Sequence, residues 1–213
     1  MKKICAFLLS VTILMLCAVP AAMASWYAPM EASTEELAAA NLFLSNFTEV
    51  GVKRIEEYYA DHTELVDFAH DHIWFNDNDA YEFGEYAGEN NCRVSDDDIQ
   101  RIVDKYFYDA PKVDLTQTRF DYEDGYYYHC ETGGWTPNGF AHVVSLCPIG
   151  ESKYFASFMV FGGGEAWDNS VMDDTLDEVE AQFGHPNGYG AAIVFAENLS
   201  DRSTYKMISY SLV

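Results

Sequence analysis

Basic residues are scarce in this chain. Twelve lysines and arginines stand against 35 aspartates and glutamates in 213 residues, a formal charge of −23. Nucleic acid and anionic membrane surfaces repel such a chain, which excludes recognition of either through charge. By the same reasoning an anionic partner would be met across a bridging divalent cation. Cysteine is scarce too: five in all, two of them in the first seventeen residues. The remaining Cys92, Cys130 and Cys147 are odd in number and lack Cys-x-x-Cys spacing, which excludes a disulfide scaffold and a zinc-knuckle pattern. Repeats, low-complexity runs and an internal linker are absent as well. Disorder, the other common reading of high net charge, conflicts with an aromatic content of 15%.

What is present begins with a leader. Lys2 and Lys3 precede an apolar run from Ile4 to Val19, and Ala22-Met23-Ala24 follows with small residues flanking a larger one. This is the pattern of a secretory signal peptide over residues 1–24, with Ser25 the first mature residue. An uncleaved anchor is the alternative, since Ile4 to Ala24 reaches the ~20 residues that span a bilayer. Residues 25–33 read as a connector and 34–213 as one domain.

Three helices are predicted in the first half of that domain. Ser33 stands three residues before Glu36 in capping-box spacing, and Leu37, Ala40, Phe43, Leu44 and Phe47 recur behind it at helical period. Asp61 and Glu64 open a second helix carried by Leu65, Val66, Ala69 and Ile73. Ser95 and three aspartates open a third, carried by Ile99, Ile102, Val103 and Tyr106. Val52 to His62 permits a helix, and Tyr81 to Asn91 reads as a surface loop. From Phe120 onward the pattern turns to strands. Gln117 to Tyr122 and Tyr126 to Glu131 flank Asp124-Gly125, a pair suited to a tight hairpin. Phe140 to Leu146, Tyr154 to Phe161, Gly190 to Ala196 and Tyr205 to Val213 follow, with a short helix over Asp173 to Phe183. The expected fold is α+β: three N-terminal helices packed on a curved antiparallel sheet of about five to six strands.

Several strings occur together: Asn41-Leu-Phe-Leu-Ser-Asn-Phe47, Leu65-Val-Asp-Phe-Ala69 with His72 and Asn78, Val103-Asp-Lys-Tyr-Phe107, Asp124-Gly-Tyr-Tyr-Tyr128 and Tyr205-Lys-Met-Ile-Ser-Tyr210. Through them the chain resembles an extracytoplasmic α+β domain of clostridia-type Gram-positive bacteria. The resemblance implies a secreted or envelope location and one mixed domain. It transfers no catalytic residue.

The candidate chemistry is sparse. His70-Asp71-His72 looks metal-like, but residues two apart on a helix point about 200° apart, so capping or surface roles are expected. His129, Cys130 and His142 fall on strands expected to be neighbours; one register faces His129 with His142, the other brings the Cys130 thiol to His142, the minimum for nucleophilic catalysis. Cys130 as a small core residue is the plainer reading. Asp77 and Asp79 offer oxygen ligands for Ca²⁺ beside Asn76 and Asn78, against a solvated turn, and no other cofactor is indicated. Tyr126, Tyr127 and Tyr128 alternate, so at least one points off the core, with Trp135 in the adjoining loop. Aromatics beside acids can stack on sugars or anchor a protein. The expectation is therefore a non-enzymatic binding module for a protein or glycan of the envelope. The alternative is a secreted hydrolase using His142 with Cys130 or a carboxylate.

Overall fold

The structure, a computed structural model, describes residues 29–59, 61–114, 116–130, 136–162 and 167–213. The leader, Trp135 and the glycine run near 163 lie outside the described residues. Among the described residues the fold is α+β, with four helices and two antiparallel sheets. In chain order the elements are α1 (Thr34–Glu49), β1 (Arg54–Ile55), α2 (His62–Asn76), β2 (Glu82–Phe83), β3 (Cys92–Ser95), α3 (Asp96–Tyr106), β4 (Asp121–Glu123), β5 (Tyr126–His129), β6 (Phe140–Gly150), β7 (Lys153–Phe161), α4 (Leu176–Phe183), β8 (Gly188–Ala196) and β9 (Tyr205–Leu212). Three 3₁₀ turns, Asn78–Ala80, Asn169–Met172 and Arg202–Thr204, punctuate the connections.

The helices begin where their caps dictate. Ser33 and Glu36 close a reciprocal capping box on α1, and the Ser95 hydroxyl accepts the Asp98 N–H at 3.1 Å on α3. α4 starts later than Asp173, because Thr175 and Glu178 form the capping box that fixes its first turn.

The single expected sheet is two. One has the order β1-β9-β8-β7-β6 and the other β2-β3-β5-β4. Asp124 and Gly125 both take positive φ, 51° and 84°, and fold β4 onto β5 as a tight hairpin. The other side of β5 is taken by β3, a strand the sequence reading missed, in the register Cys92↔His129 to Ser95↔Tyr126. With both edges of β5 occupied, no ladder forms to β6, and the expected pairing of His129 or Cys130 with His142 does not exist. The loop expected over Tyr81 to Asn91 contains β2. The helix considered over Val52 to His62 is β1 and a turn in which Tyr58 and Tyr59 are left-handed.

Both sheets and the first three helices share one core. Phe47 is fully buried at its centre, stacked on Phe68 at 4.4 Å and packed against Phe107 and Tyr210. Each such ring contributes roughly 2–3 kcal/mol of burial. Tyr127 and Cys92 enter the same cluster from the smaller sheet. A second cluster, Phe140, Phe161, Val171, Met172 and Val179, closes the far end beneath α4.

Several edge positions of the long sheet are already hydrogen-bonded. Along β6, the Val143 N–H donates to Asn41 Oδ1 at 2.7 Å and the Ala141 N–H to Ser45 Oγ at 3.0 Å, while Thr48 Oγ1 donates to the Gly139 carbonyl at 3.0 Å. Asn41, Ser45 and Thr48 are all buried, at i, i+4 and i+7 on α1. On the opposite side Tyr108 N–H donates to the Met207 carbonyl at 2.9 Å, which the Tyr59 hydroxyl also reaches.

Candidate functional site

The expected site residues are dispersed. His142 sits on β6 opposite Met159, 7% exposed, its Nδ1 without a hydrogen-bond partner and its ring edge-on to Phe161. Burial lowers its pKa, and Asp174 is the acid that opposes this. Cys130 is half-buried just past β5 in the other sheet, and neither it nor Cys147 is in a disulfide. Of the tyrosines, Tyr127 points inward and is fully buried, while Tyr126 and Tyr128 point outward. The outward pair is already engaged: the Arg93 guanidinium lies 3.9 Å from the Tyr126 ring centre, between it and Tyr86, and Tyr128 packs on Tyr86. Trp135 lies outside the described residues.

Asp77 caps the end of α2 and gives its carboxylate to Arg101 at 2.6 Å, while Asp79 sits in the 3₁₀ turn that follows. Among the described residues no group of three or more histidine, cysteine or acidic side chains is placed to hold a metal ion.

His70, Asp71 and His72 are not at the surface. All three are buried, and the two imidazoles face opposite sides of α2, as the helical period requires. His70 stacks on Phe120 at 3.8 Å and meets His129 at 5.1 Å, a pairing created because Phe120 and β5 lie over α2. Its Nδ1 lies 3.1 Å from Asp71 Oδ1, and Arg119 bridges Asp71 at 2.9 Å and Asp67 at 3.1 Å. Burial holds the His70 pKa down despite Asp71, so this is a neutral histidine orienting a carboxylate. One guanidinium cannot serve both acids fully: Asp67 Oδ1 lacks a directed hydrogen bond, and its pKa is pushed up to about 6 by burial.

His72 faces the other way, into a cleft between α1, α2, α3 and the turn at Arg202. Two adjoining hollows of about 440 and 480 Å³ share Asn46, Asn76 and Arg202 in their walls. Their combined extent lies in the usual range of small-ligand sites. The inner wall is a fixed polar network. The Tyr106 hydroxyl donates to Asn46 Oδ1 at 3.2 Å, and the Asn76 amide reaches His72 Nδ1 at 3.2 Å and Glu49 Oε2 at 3.2 Å. With Asn76 donating, His72 carries its proton on Nε2. Its pKa is lowered to about 3 by burial and by Lys105, so the ring is neutral.

The outer wall is cationic. Arg101 and Lys105 stand at i and i+4 on α3, and Arg202 comes from the turn before β9. Arg101 is neutralised by Asp77 and by Asp98 at 3.0 Å. Lys105 and Arg202 have no carboxylate within ion-pair distance among the described residues. The Lys105 amine lies 4.8 Å from the Tyr106 ring centre, and its pKa is lowered by burial and by Arg101 and Arg202. Three of the twelve lysines and arginines thus line one cleft, together with the acids Asp77 and Glu49. At the far end the walls are Thr136, Pro137, Asn169 and the half-buried indole of Trp167, packed on Phe140.

Sequence reasoning missed this cleft because Arg202 lies about a hundred residues from Arg101 and Lys105. The available signal was scarcity: with so few cations, two at i and i+4 on one helix are conspicuous.

No family model, no curated protein and no solved structure matches the chain. Among the described residues no helix is long and apolar enough to cross a membrane.

Proposed function

We propose that the protein is a non-enzymatic binding module, secreted or held on the outer face of a cell envelope, and that its ligand occupies the helix-side cleft. The observation that carries this reading is the placement of Lys105 and Arg202, neither of them ion-paired among the described residues, in the walls of a preformed cleft, in a chain of net charge −23. An isolated cation at a surface is unremarkable, but two facing one hollow cost mutual repulsion unless something negative enters it. The leader-like first 24 residues and the resemblance to an extracytoplasmic domain support the location.

The chemistry of the walls favours holding over cutting. Tyr106 has its pKa pushed up to about 12 by burial, His72 is too weak a base, and the Ser203 hydroxyl donates to Asp201 at 2.7 Å. No activated nucleophile faces the hollow among the described residues. The hydrolase reading loses the strand pairing it relied on, because Cys130 follows β5 of one sheet while His142 lies on β6 of the other.

The test is a glycan and peptide array probed with the intact protein and with a Lys105→Glu, Arg202→Glu double variant whose folding is checked by circular dichroism. Saturable binding that the double variant loses, with the ligand recovered unaltered, is the expected result. Binding indifferent to the double variant, or turnover of the bound ligand, would sink the proposal.

A further inference from the structure

The two ends of the cleft differ in chemistry, and the difference specifies a ligand. One end presents the planar guanidinium of Arg202 and the amine of Lys105, over a wall closed by Tyr106. A guanidinium fork matches a carboxylate in two parallel hydrogen bonds, and the adjacent ammonium adds a point charge. Among the described residues the other end has no cation besides Arg202, and the carboxylate of Glu49 also lines it. It offers amides at Asn76 and Asn169, the hydroxyl of Thr136 and the indole of Trp167. Amides and hydroxyls with one indole suit rings that carry hydroxyl groups on their edges and C–H bonds on a face. A bare inorganic anion would use only the first end and leave the second solvated.

Resting on the reading of the cleft as the binding site, we infer that the ligand is an acidic saccharide of two or three rings, whose carboxylate sits between Lys105 and Arg202 while a neighbouring ring lies along Trp167. Such a ligand reverses a sequence-level expectation. The chain as a whole repels anions, and an anionic partner was expected to need a bridging divalent cation. The cleft supplies its own positive charge, and no metal is required between protein and sugar.

The neutral His72 belongs to this design. A protonated imidazole there would add a fourth cation, but it would also have to be desolvated beside Lys105 and Arg101. Kept neutral, it accepts from Asn76 and holds that amide in the wall. The acids that face the same space are Asp77, already paired with Arg101, and Glu49, whose pKa burial raises.

Titration calorimetry on the full chain tests the inference, in EDTA, with four probes: trigalacturonate, its methyl ester, monomeric galacturonate and inorganic phosphate. Trigalacturonate should bind, and the uncharged methyl ester should bind at least tenfold more weakly. Arg202→Gln should weaken trigalacturonate about tenfold and leave the methyl ester unchanged. Trp167→Ala should weaken trigalacturonate and leave the monomer unchanged, and raising salt from 50 to 500 mM should weaken the acid but not the ester. Equal binding of acid and ester would overturn the acidic class while leaving the cleft as a binding site. Phosphate binding as tightly as trigalacturonate would overturn the saccharide. Failure of trigalacturonate to bind overturns the inference as a whole, and the array comparison above then decides separately whether the cleft binds another ligand. Thermal unfolding of Arg202→Gln and Trp167→Ala, expected within a few degrees of the parent, separates lost binding from lost fold.

Discussion

Asn41 holds Val143. Its side-chain oxygen accepts the Val143 backbone N–H at 2.7 Å, and its amide donates to the Met172 carbonyl at 2.9 Å, so one buried side chain joins α1, the edge of β6 and the turn beneath α4.

Replacing Asn41 by alanine should therefore orphan a buried donor and a buried acceptor together. The expected cost is about 2–4 kcal/mol, with faster amide exchange at Val143. Asn41→Asp keeps the acceptor but buries a charge and loses the donor, and should cost at least as much. Urea unfolding is the measurement. A loss under half a kcal/mol for the alanine variant would mean that water replaces both bonds.

Gly190 is a matter of space. A Cβ at this position would overlap the ring of Phe158, which is 1% exposed and stacked on Tyr210 at 5.5 Å. Gly190→Ala should destabilise by about 1–3 kcal/mol through overpacking. Trimming the obstacle should recover part of that loss: Gly190→Ala with Phe158→Leu should be more stable than the sum of the two single effects. Strict additivity in that double-mutant cycle would show that the ring is not what the methyl meets.

Asp67 makes the fold sensitive to pH in one direction. Its pKa rises from 3.8 to about 6, chiefly through burial, so the folded state favours the protonated acid. Its contribution is fully present below pH 4 and is lost as pH climbs through 6. Arg119 lies 3.1 Å away, but it also serves Asp71. Asp67→Asn should stabilise the protein at pH 7 by about 1–2 kcal/mol, allowing for solvent screening of a partly exposed side chain, and have little effect at pH 4. Equal effects at the two pH values would contradict the shift.

His72 works in the opposite sense. Its pKa falls from 6.5 to about 3, so its contribution is complete above pH 6.5 and is lost as pH drops toward 3. Between pH 7 and pH 5 this one group should remove about 2 kcal/mol, since the unfolded chain binds a proton that the fold refuses. His72→Gln keeps a hydrogen-bonding side chain without that titration. Chemical unfolding of both proteins at the two pH values should give a shallower pH dependence for the variant; parallel profiles would refute the assignment.

The helices were legible because their signals are local. Ser33 with Glu36, and Ser95 with the three aspartates after it, fix two helix starts within four residues, and the apolar stripes behind them are the ones that face the core. The Asp124-Gly125 turn was legible for the same reason. Strand partnership was not. Cys92 to Ser95 is four residues long and holds only two apolar residues, Cys92 and Val94, too short an alternation to stand out, yet it takes the edge of β5 and so divides the strands into two sheets. Every inference about His129, Cys130 and His142 depended on that partnership. The row Asn41, Ser45 and Thr48 was visible as polar residues at i, i+4 and i+7 on an otherwise apolar face, but only β6 lying against it shows what the row is for.

That row limits how the protein can meet a partner. A sheet with a bare edge can recruit an extended peptide as one more strand, reading it mainly through main-chain bonds with little regard to sequence. Here the β6 amides at Ala141 and Val143 already have acceptors, and the Met207 carbonyl on the far strand has its donors. The long sheet offers those positions to no newcomer. At those positions it also resists templated growth into stacked copies. A ligand met through side chains, one functional group at a time, is the mode of recognition left open at those positions.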